Sequence, residues 1–227
     1  MLNVLVMGPA GAGKGTMSEL IEKHYHVAHI STGDMFRAEI KNNTELGQKA
    51  SEYIKAGLLV PDEVTIDMVL KRLAEPDCQE GYLLDGFPRS LIQANVFDTR
   101  TIETPYEICL VINLVVDKEL LIGRIENRRI CRECGALYNM LTHQPKVEGV
   151  CDECGGEVYQ RPDDNRASLE KRLESYELET APVLEHYRRL HLVHDVDASQ
   201  PVEKVWEDIQ KIIDECLGVE SAIKEEA

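Results

Sequence analysis

The chain has no long hydrophobic run. Its longest apolar stretch, Ile108 to Val116, is broken by Asn113 and is too short to span a bilayer as a helix. Positive charge is scarce. Only 25 Lys and Arg stand against 41 Asp and Glu, a formal net charge of −16. That balance argues against nucleic acid as a partner. It also means that a site for an anionic ligand must gather its own cations, because the bulk surface repels anions. Repeats are absent. The strand-like run starts at Leu2, with no secretory segment ahead of it, so a cytoplasmic location with reduced thiols is expected. At 227 residues and 43% hydrophobic content, the chain can build one good core plus insertions.

What is present begins with a phosphate loop, Gly8-Pro-Ala-Gly-Ala-Gly-Lys-Gly-Thr16. A buried strand is predicted over residues 2–7. A helix is predicted over 14–25, with Met17, Leu20 and Ile21 at helical spacing. Glycines between the two let backbone N–H groups turn inward onto phosphate oxygens, and the helix N-terminus adds partial positive charge. Lys14 would reach the β- and γ-phosphates. Gly15 follows the lysine and the hydroxyl comes one step later, at Thr16, which points to a magnesium ion held more through waters than by a direct hydroxyl contact. A glycine-rich turn without a ligand is the bland alternative. Downstream, Gly81-Tyr-Leu-Leu-Asp85 is an apolar run ending in a carboxylate that would orient Mg²⁺ or its waters. Alone it would read as an ordinary strand-end turn.

Cys131, Cys134, Cys151 and Cys154 follow a C-x2-C-x16-C-x2-C pattern, with Gly135 and Gly155 directly behind each pair. That is the spacing of a structural metal ribbon; disulfides or a redox pair are the alternatives. Zinc is the default ion, and iron or cobalt fits the same four sulfurs. A closed four-sulfur site serves folding rather than chemistry. Cys78, Cys109 and Cys216 are isolated and read as core thiols. The cations an anion site needs cluster near these motifs: Arg37, Arg89, Arg124, Arg128, Arg129, Arg161 and Arg172.

Strands are predicted near 2–7, 27–30, 81–85, 108–114 and 192–197. Helices are predicted near 14–25, 34–42, 44–56, 62–74, 90–98, 117–127, 166–190 and 201–216. Strands alternating with helices give an α/β fold with a mostly parallel sheet covered on both faces. Residues 31–60 and 128–163 break the alternation and read as two insertions at the ligand end of the sheet. The tail from Gly218 to Ala227 is charged and is expected to fray.

Further motifs carry a resemblance. Together with the phosphate loop, Ser31-Thr-Gly-Asp-Met-Phe-Arg37, Asp85-Gly-Phe-Pro-Arg89, Gln93, Arg124 through Arg129 and Arg161-Pro-Asp-Asp164 resemble adenylate kinase, in the long bacterial form with a four-cysteine lid. The likeness runs through to about Leu217. It implies a P-loop kinase with a five-stranded parallel sheet flanked by helices. The core would be residues 1–30, 61–126 and 165–227, with a nucleoside-monophosphate-binding domain at 31–60 and a zinc-ribbon-like lid at 127–164. It implies reversible phosphoryl transfer from MgATP to AMP giving two ADP, by a monomer with no membrane partner.

By the same resemblance ATP meets Gly11, Ala12, Gly13, Lys14, Gly15, Thr16, Arg124, Arg128, Leu137, Tyr138 and the backbone of Gln200. AMP meets Thr32, Arg37, Leu58, Leu59, Val60, Gly86, Phe87, Pro88, Arg89, Gln93, Arg161 and Arg172. The catalytic cations are Lys14, Arg89, Arg128, Arg161 and Arg172, Asp85 orients magnesium, and Asp163 and Asp164 bind neighbouring arginines. The chain departs from the family pattern at Pro9, at Pro162 where lysine is common, and at Gln200, which is often lysine. A kinase for uridylate, cytidylate or guanylate is one alternative. Thr32 and Gln93 favour adenine, because the resembling pyrimidine kinases carry a smaller residue and an asparagine there. A zinc-ribbon interaction module switched by nucleotide is another, but a switch has no use for a second phosphate site.

Overall fold

The computed structural model describes residues 1–56 and 58–219. The charged tail from residue 220 onward, expected to fray, lies outside the described residues. Five strands form one parallel sheet: β1 (Leu2–Met7), β2 (Ala28–Ser31), β3 (Gly81–Asp85), β4 (Leu110–Val115) and, last in the chain, β8 (Val193–Asp197). Their order is β2-β3-β1-β4-β8, and every neighbouring pair is parallel. The first strand therefore sits at the centre, which is why it is apolar on both sides and buried throughout.

Alternation along β1 builds two cores. Val4 and Val6 face α1 (Lys14–Tyr25), α6 (Lys118–Glu126), α7 (Arg166–Ser175) and α9 (Val202–Leu217) through Ile21, Ile125, Leu169 and Ile209. Leu5 and Met7 face the other way, toward α4 (Asp62–Leu73), α5 (Leu91–Thr101) and α8 (Ala181–Arg189), through Val69, Phe97 and Tyr187. Side-chain caps mark several helix starts, among them these three. Ser31 accepts from Asp34 N ahead of α2 (Thr32–Lys41), Ser90 from Gln93 N ahead of α5, and Asn165 from Ser168 N ahead of α7. The first of these starts helix α2 at Thr32, two residues before the sequence reading placed it.

Two excursions leave the sheet. The first holds α2 and α3 (Glu45–Ala56), closed over a small core of Phe36, Ala50 and Val60. The second is an antiparallel three-stranded sheet in the order β6-β5-β7, from β5 (Arg128–Cys131), β6 (Leu137–Asn139) and β7 (Val158–Tyr159). The sequence showed only a short alternation here, because strands of two to four residues carry no readable period. The single helix expected over 166–190 is interrupted by a π-turn at Tyr176–Thr180, where Ala181 N–H reaches back to Tyr176 O. Pro182 explains the widening: it has no N–H to donate, and its ring crowds the carbonyl four residues earlier. No helix of the described residues is long and apolar enough to cross a membrane.

Helices α2 and α3 meet through Gly47. A Cβ there would lie 2.2 Å from the Glu39 carbonyl oxygen. Alanine gains about 1 kcal/mol in intrinsic helix preference, but overpacking against backbone costs about 1–3 kcal/mol or more, and a contact that close puts the cost ahead. Gly47→Ala is expected to destabilise the protein, read as a lower urea midpoint. A midpoint equal to or above wild type would show that the two helices can separate freely.

Candidate active site

All five parallel strands point their C-terminal ends at one edge, and the loops there build the site. After β1 the chain turns sharply. Gly8 has φ +138, and a Cβ on it would sit 2.8 Å from Leu114 O. Gly13 has φ +98 and supplies the left-handed start of α1. The Lys14 ammonium folds back over its own loop, donating to Gly8 O at 2.8 Å and Pro9 O at 3.0 Å. Burial pushes Lys14 down to about 8; Asp85 at the end of β3 opposes that shift, while Arg89, Arg172 and Arg128 add to it.

Opposite the loop, the Gly86 carbonyl accepts from Arg89 Nε at 2.7 Å and from Thr32 Oγ1 at 2.8 Å. Both Arg89 peptide groups are tied as well. Its N–H donates to Gln93 Oε1 at 2.8 Å, and its carbonyl accepts from Thr180 Oγ1 at 2.9 Å. Arg89 is an exposed residue at the cleft, yet burial of its guanidinium by the surrounding protein, with the nearby Arg172 and Arg37, holds its pKa below the usual arginine value.

Three more arginines are fanned out by acids. Arg128 Nε donates to Asp164 at 2.8 Å, with a second bond from Nη2 to the other carboxylate oxygen. Arg172 donates to Asp163 at 3.3 Å, and Arg37 Nε to Asp34 at 3.0 Å. This matches the expectation that Asp163 and Asp164 bind neighbouring arginines. Arg161 makes no such ion pair among the described residues: its Nε is buried and has no hydrogen-bond partner there. Burial pushes Arg161 down to about 10, with Arg37 and Arg128 adding to the effect. Lys14 and the five arginines at 37, 89, 128, 161 and 172 thus feel one another, against the carboxylates of Asp34, Asp85, Asp163 and Asp164. Cations outnumber carboxylates by two in a chain of net charge −16. Such a cleft suits an anion.

The four cysteines converge, with all sulfurs within 4.8 Å of one another. Cys131–Cys154 and Cys134–Cys151 stand 3.5 Å apart. A disulfide would need about 2.05 Å, whereas a tetrahedral ion with bonds of about 2.3 Å spaces its sulfurs by roughly 3.8 Å. Each pair closes a tight turn, Gly135 N to Cys131 O and Gly155 N to Cys151 O, with φ near +79 and +74 at the two glycines. The Tyr138 hydroxyl donates to Cys151 and lowers that thiol to about 6, toward the thiolate a metal needs. Apart from these residues the small sheet has little core of its own. The donor set fits a structural metal ion.

Comparison with known proteins agrees with this geometry. The family model for adenylate kinase matches residues 6–192. The chain is 49% identical to the adenylate kinase of Carboxydothermus hydrogenoformans over 212 residues, which cover 93% of this chain and 99% of that protein. It is 45% identical to the adenylate kinase of Archaeoglobus fulgidus, over 94% of this chain and 98% of that one. It is 46% identical to that of Clostridioides difficile, over 92% and 96%. The chain belongs to the adenylate kinase family. It is therefore a phosphotransferase, a nucleoside monophosphate kinase with the P-loop kinase fold.

Within this adenylate kinase fold, one cleft is lined by Lys14, Thr32, Arg37, Leu58, Leu59, Val60, Gly86, Phe87, Pro88, Arg89, Gln93 and Arg172. Those sequence-picked residues share one wall-to-wall space, and Arg161 and Arg128 stand beside it. Arg124 and Gln200 lie apart from it but close to each other. Arg124 donates to Ala198 O at 2.7 Å, and Gln200 Nε2 to Asp197 O at 3.1 Å. Leu137 rests on the phosphate loop, since a Cβ on Gly15 would lie 3.2 Å from its Cδ1. Tyr138, expected with Leu137 near the nucleotide, turns instead into the sulfur cluster, because neighbours on a strand face opposite sides. Sequence reasoning missed Asp62, Ile54 and Tyr176, which hold or line the cleft without any motif to mark them, and gave no role to Phe36, which lies inside a quoted motif.

Burial brings the Lys14 pKa down to about 8, and the charge of its ammonium is what an anion binds. Affinity for inorganic tripolyphosphate is expected to fall as pH rises through about 8. Calorimetric titration at several pH values checks this, with Lys14→Met as the comparison. A wild-type affinity that does not change across that window, or one that changes as much in Lys14→Met, would place the titrating group elsewhere.

Proposed function

We propose that the protein transfers the terminal phosphoryl group of magnesium-bound ATP to AMP, giving two ADP. The observation that carries this reading is the excess of cations around a cleft bordered by a phosphate loop on one side and by Thr32, Arg37, Arg89 and Gln93 on the other. A migrating phosphoryl group spreads negative charge over its oxygens in a loose transition state, so it needs positioning and cations more than a nucleophile from the protein. Lys14, Arg89, Arg128, Arg161 and Arg172 would supply them. Guanidinium groups also fix direction, because two parallel N–H bonds meet two phosphate oxygens. No general base is required: the attacking oxygen of AMP is already anionic at neutral pH.

In this reading the donor occupies Gly11 to Thr16, Arg124, Arg128, Leu137 and the backbone near Gln200. The acceptor occupies the cleft lined by Leu58, Leu59 and Val60 and by Gly86 to Arg89. Thr16 and Asp85 would hold magnesium, directly or through water, and the ion would supply positive charge to the phosphates. Residues 31–60 and 127–164 act as two covers on a core of 1–30, 61–126 and 165–227, and closing them excludes the water that would otherwise hydrolyse ATP. The four cysteines hold zinc, or iron or cobalt in its place, and the ion keeps the second cover in one piece. The protein works as a monomer in the cytoplasm with nucleotides as its only partners. The acidic charge of the chain supports the absence of nucleic acid among them.

ADP formation from MgATP is measured with AMP, CMP, UMP and GMP in turn. Turnover with AMP in clear preference to the others is expected. Turnover with another base would move the acceptor specificity, and binding of ATP without turnover would replace the enzyme by a switch. The metal reading is tested separately by Cys131→Ser with Cys134→Ser. Loss of bound metal and a melting temperature lower by at least about 5 °C are expected. A melting temperature equal to wild type would remove the metal from the folding role.

A further inference from the structure

Gln93 presents the cleft with an amide whose two ends are assigned by its partners. Arg89 N–H donates to Oε1 at 2.8 Å, so an acceptor must stand there. Nε2 donates to Asp62 Oδ1 at 2.8 Å, where the carboxylate offers only an acceptor. Ser90 secures the arrangement: its hydroxyl donates to the same Asp62 oxygen at 2.9 Å and accepts from Gln93 N at 3.1 Å. Asp62 itself is fixed as the first residue of α4, directly behind Pro61. The Gln93 side chain is 2% exposed and borders the cleft.

An amide has two protons and two oxygen lone pairs. One of each is spent on Asp62 and Arg89, which leaves one proton on Nε2 and one lone pair on Oε1. Rotating the amide by half a turn would set its NH₂ against the Arg89 N–H and its oxygen against the Asp62 carboxylate. Two hydrogen bonds would be lost, one of them charge-assisted, each worth about tenfold or more in the equilibrium.

We propose that Asp62 is a positioning residue that sets the base selectivity of the acceptor site, by holding Gln93 in the orientation that suits a 6-aminopurine and opposes a 6-oxopurine. The inference rests on reading this cleft as the monophosphate site. A 6-aminopurine offers an amino donor to Oε1 and a ring-nitrogen acceptor to the Nε2 proton. A 6-oxopurine offers the reverse, an oxygen facing Oε1 and an N–H facing the Nε2 proton. A pair of mismatched polar contacts in a buried site rejects a ligand more strongly than a missing contact does.

Steady-state kinetics with AMP, GMP and ATP test the proposal on wild type, Asp62→Leu, which keeps the shape without an acceptor, and Asp62→Asn, which keeps an acceptor oxygen. Asp62→Leu is expected to raise KM for AMP about tenfold or more and to cut the AMP-over-GMP ratio of kcat/KM by about tenfold. KM for ATP and kcat at saturating AMP stay within about twofold, and Asp62→Asn recovers most of the loss. Asp62→Ala carries the same expectation should leucine prevent folding. An unchanged AMP KM and base ratio in the leucine variant would overturn the proposal alone. So would parallel rises in both KM values, which mark a merely structural role. A wild-type enzyme with no preference for AMP would overturn the acceptor reading and this inference with it.

Discussion

Mutual repulsion among like charges is the constraint on which the site depends. Two cations about 6 Å apart cost on the order of 3 kcal/mol at an effective dielectric constant of about 20. The fold gathers several cations at the C-terminal edge of the sheet, where burial first, and neighbouring arginines in addition, lower the pKa values of Lys14, Arg89, Arg161 and Arg172. It tolerates them by distributing acids behind the cations. Asp164 is buried beneath Arg128, Asp163 holds Arg172, Asp34 holds Arg37, and Asp85 faces Lys14. These acids aim the cations without fully neutralising them. Lys14, meanwhile, satisfies its ammonium on the carbonyls of its own loop, a resting arrangement that a polyphosphate can displace.

A second constraint links the sulfur cluster to the phosphate loop. Strand β6 is three residues long, and its alternation gives its residues opposite duties. Tyr138 faces inward and donates to Cys151, while Leu137 faces outward onto Gly15. A side chain in place of the glycine after the lysine would press on the end of Leu137, which would have to shift by a few tenths of an ångström. Whatever fixes the four sulfurs therefore also fixes the residue that covers the loop.

Much of this was legible in the sequence, for physical reasons. The central strand and the first helix could be read because burial on both faces and a 3.6-residue period leave strong patterns over six and twelve residues. The phosphate loop and the cysteine pairs could be read because their chemistry demands fixed spacing. The three short strands of the second sheet could not, since Val158–Tyr159 is too short to show a period. The π-turn before Pro182 was hidden inside a helical pattern that continues on both sides of it. The inward turn of Tyr138 and the Asp62–Gln93 contact were hidden as well. Both depend on which partner the fold brings close across 13 and 31 residues, and no local pattern encodes that.

The two walls of the cleft are built differently, and the difference follows from what anchors each. Arg89 is held at its N–H by Gln93, at its carbonyl by Thr180 and at its guanidinium by the Gly86 carbonyl. Those three anchors come from α5, from the π-turn and from the end of β3, all packed on the main sheet. Arg128 and Arg161 stand near each other where the chain enters and leaves the small second sheet, one tied to Asp164 and the other with its Nε unpartnered. An acceptor phosphate would thus meet a wall set before it arrives, where binding costs little reorganisation. The charge that develops during transfer would meet arginines from a segment joined to the core only at its ends. Under the proposed mechanism that division is sensible: the fixed wall selects and orients the acceptor, and the second sheet's arginines add their charge when the phosphates are there to receive it.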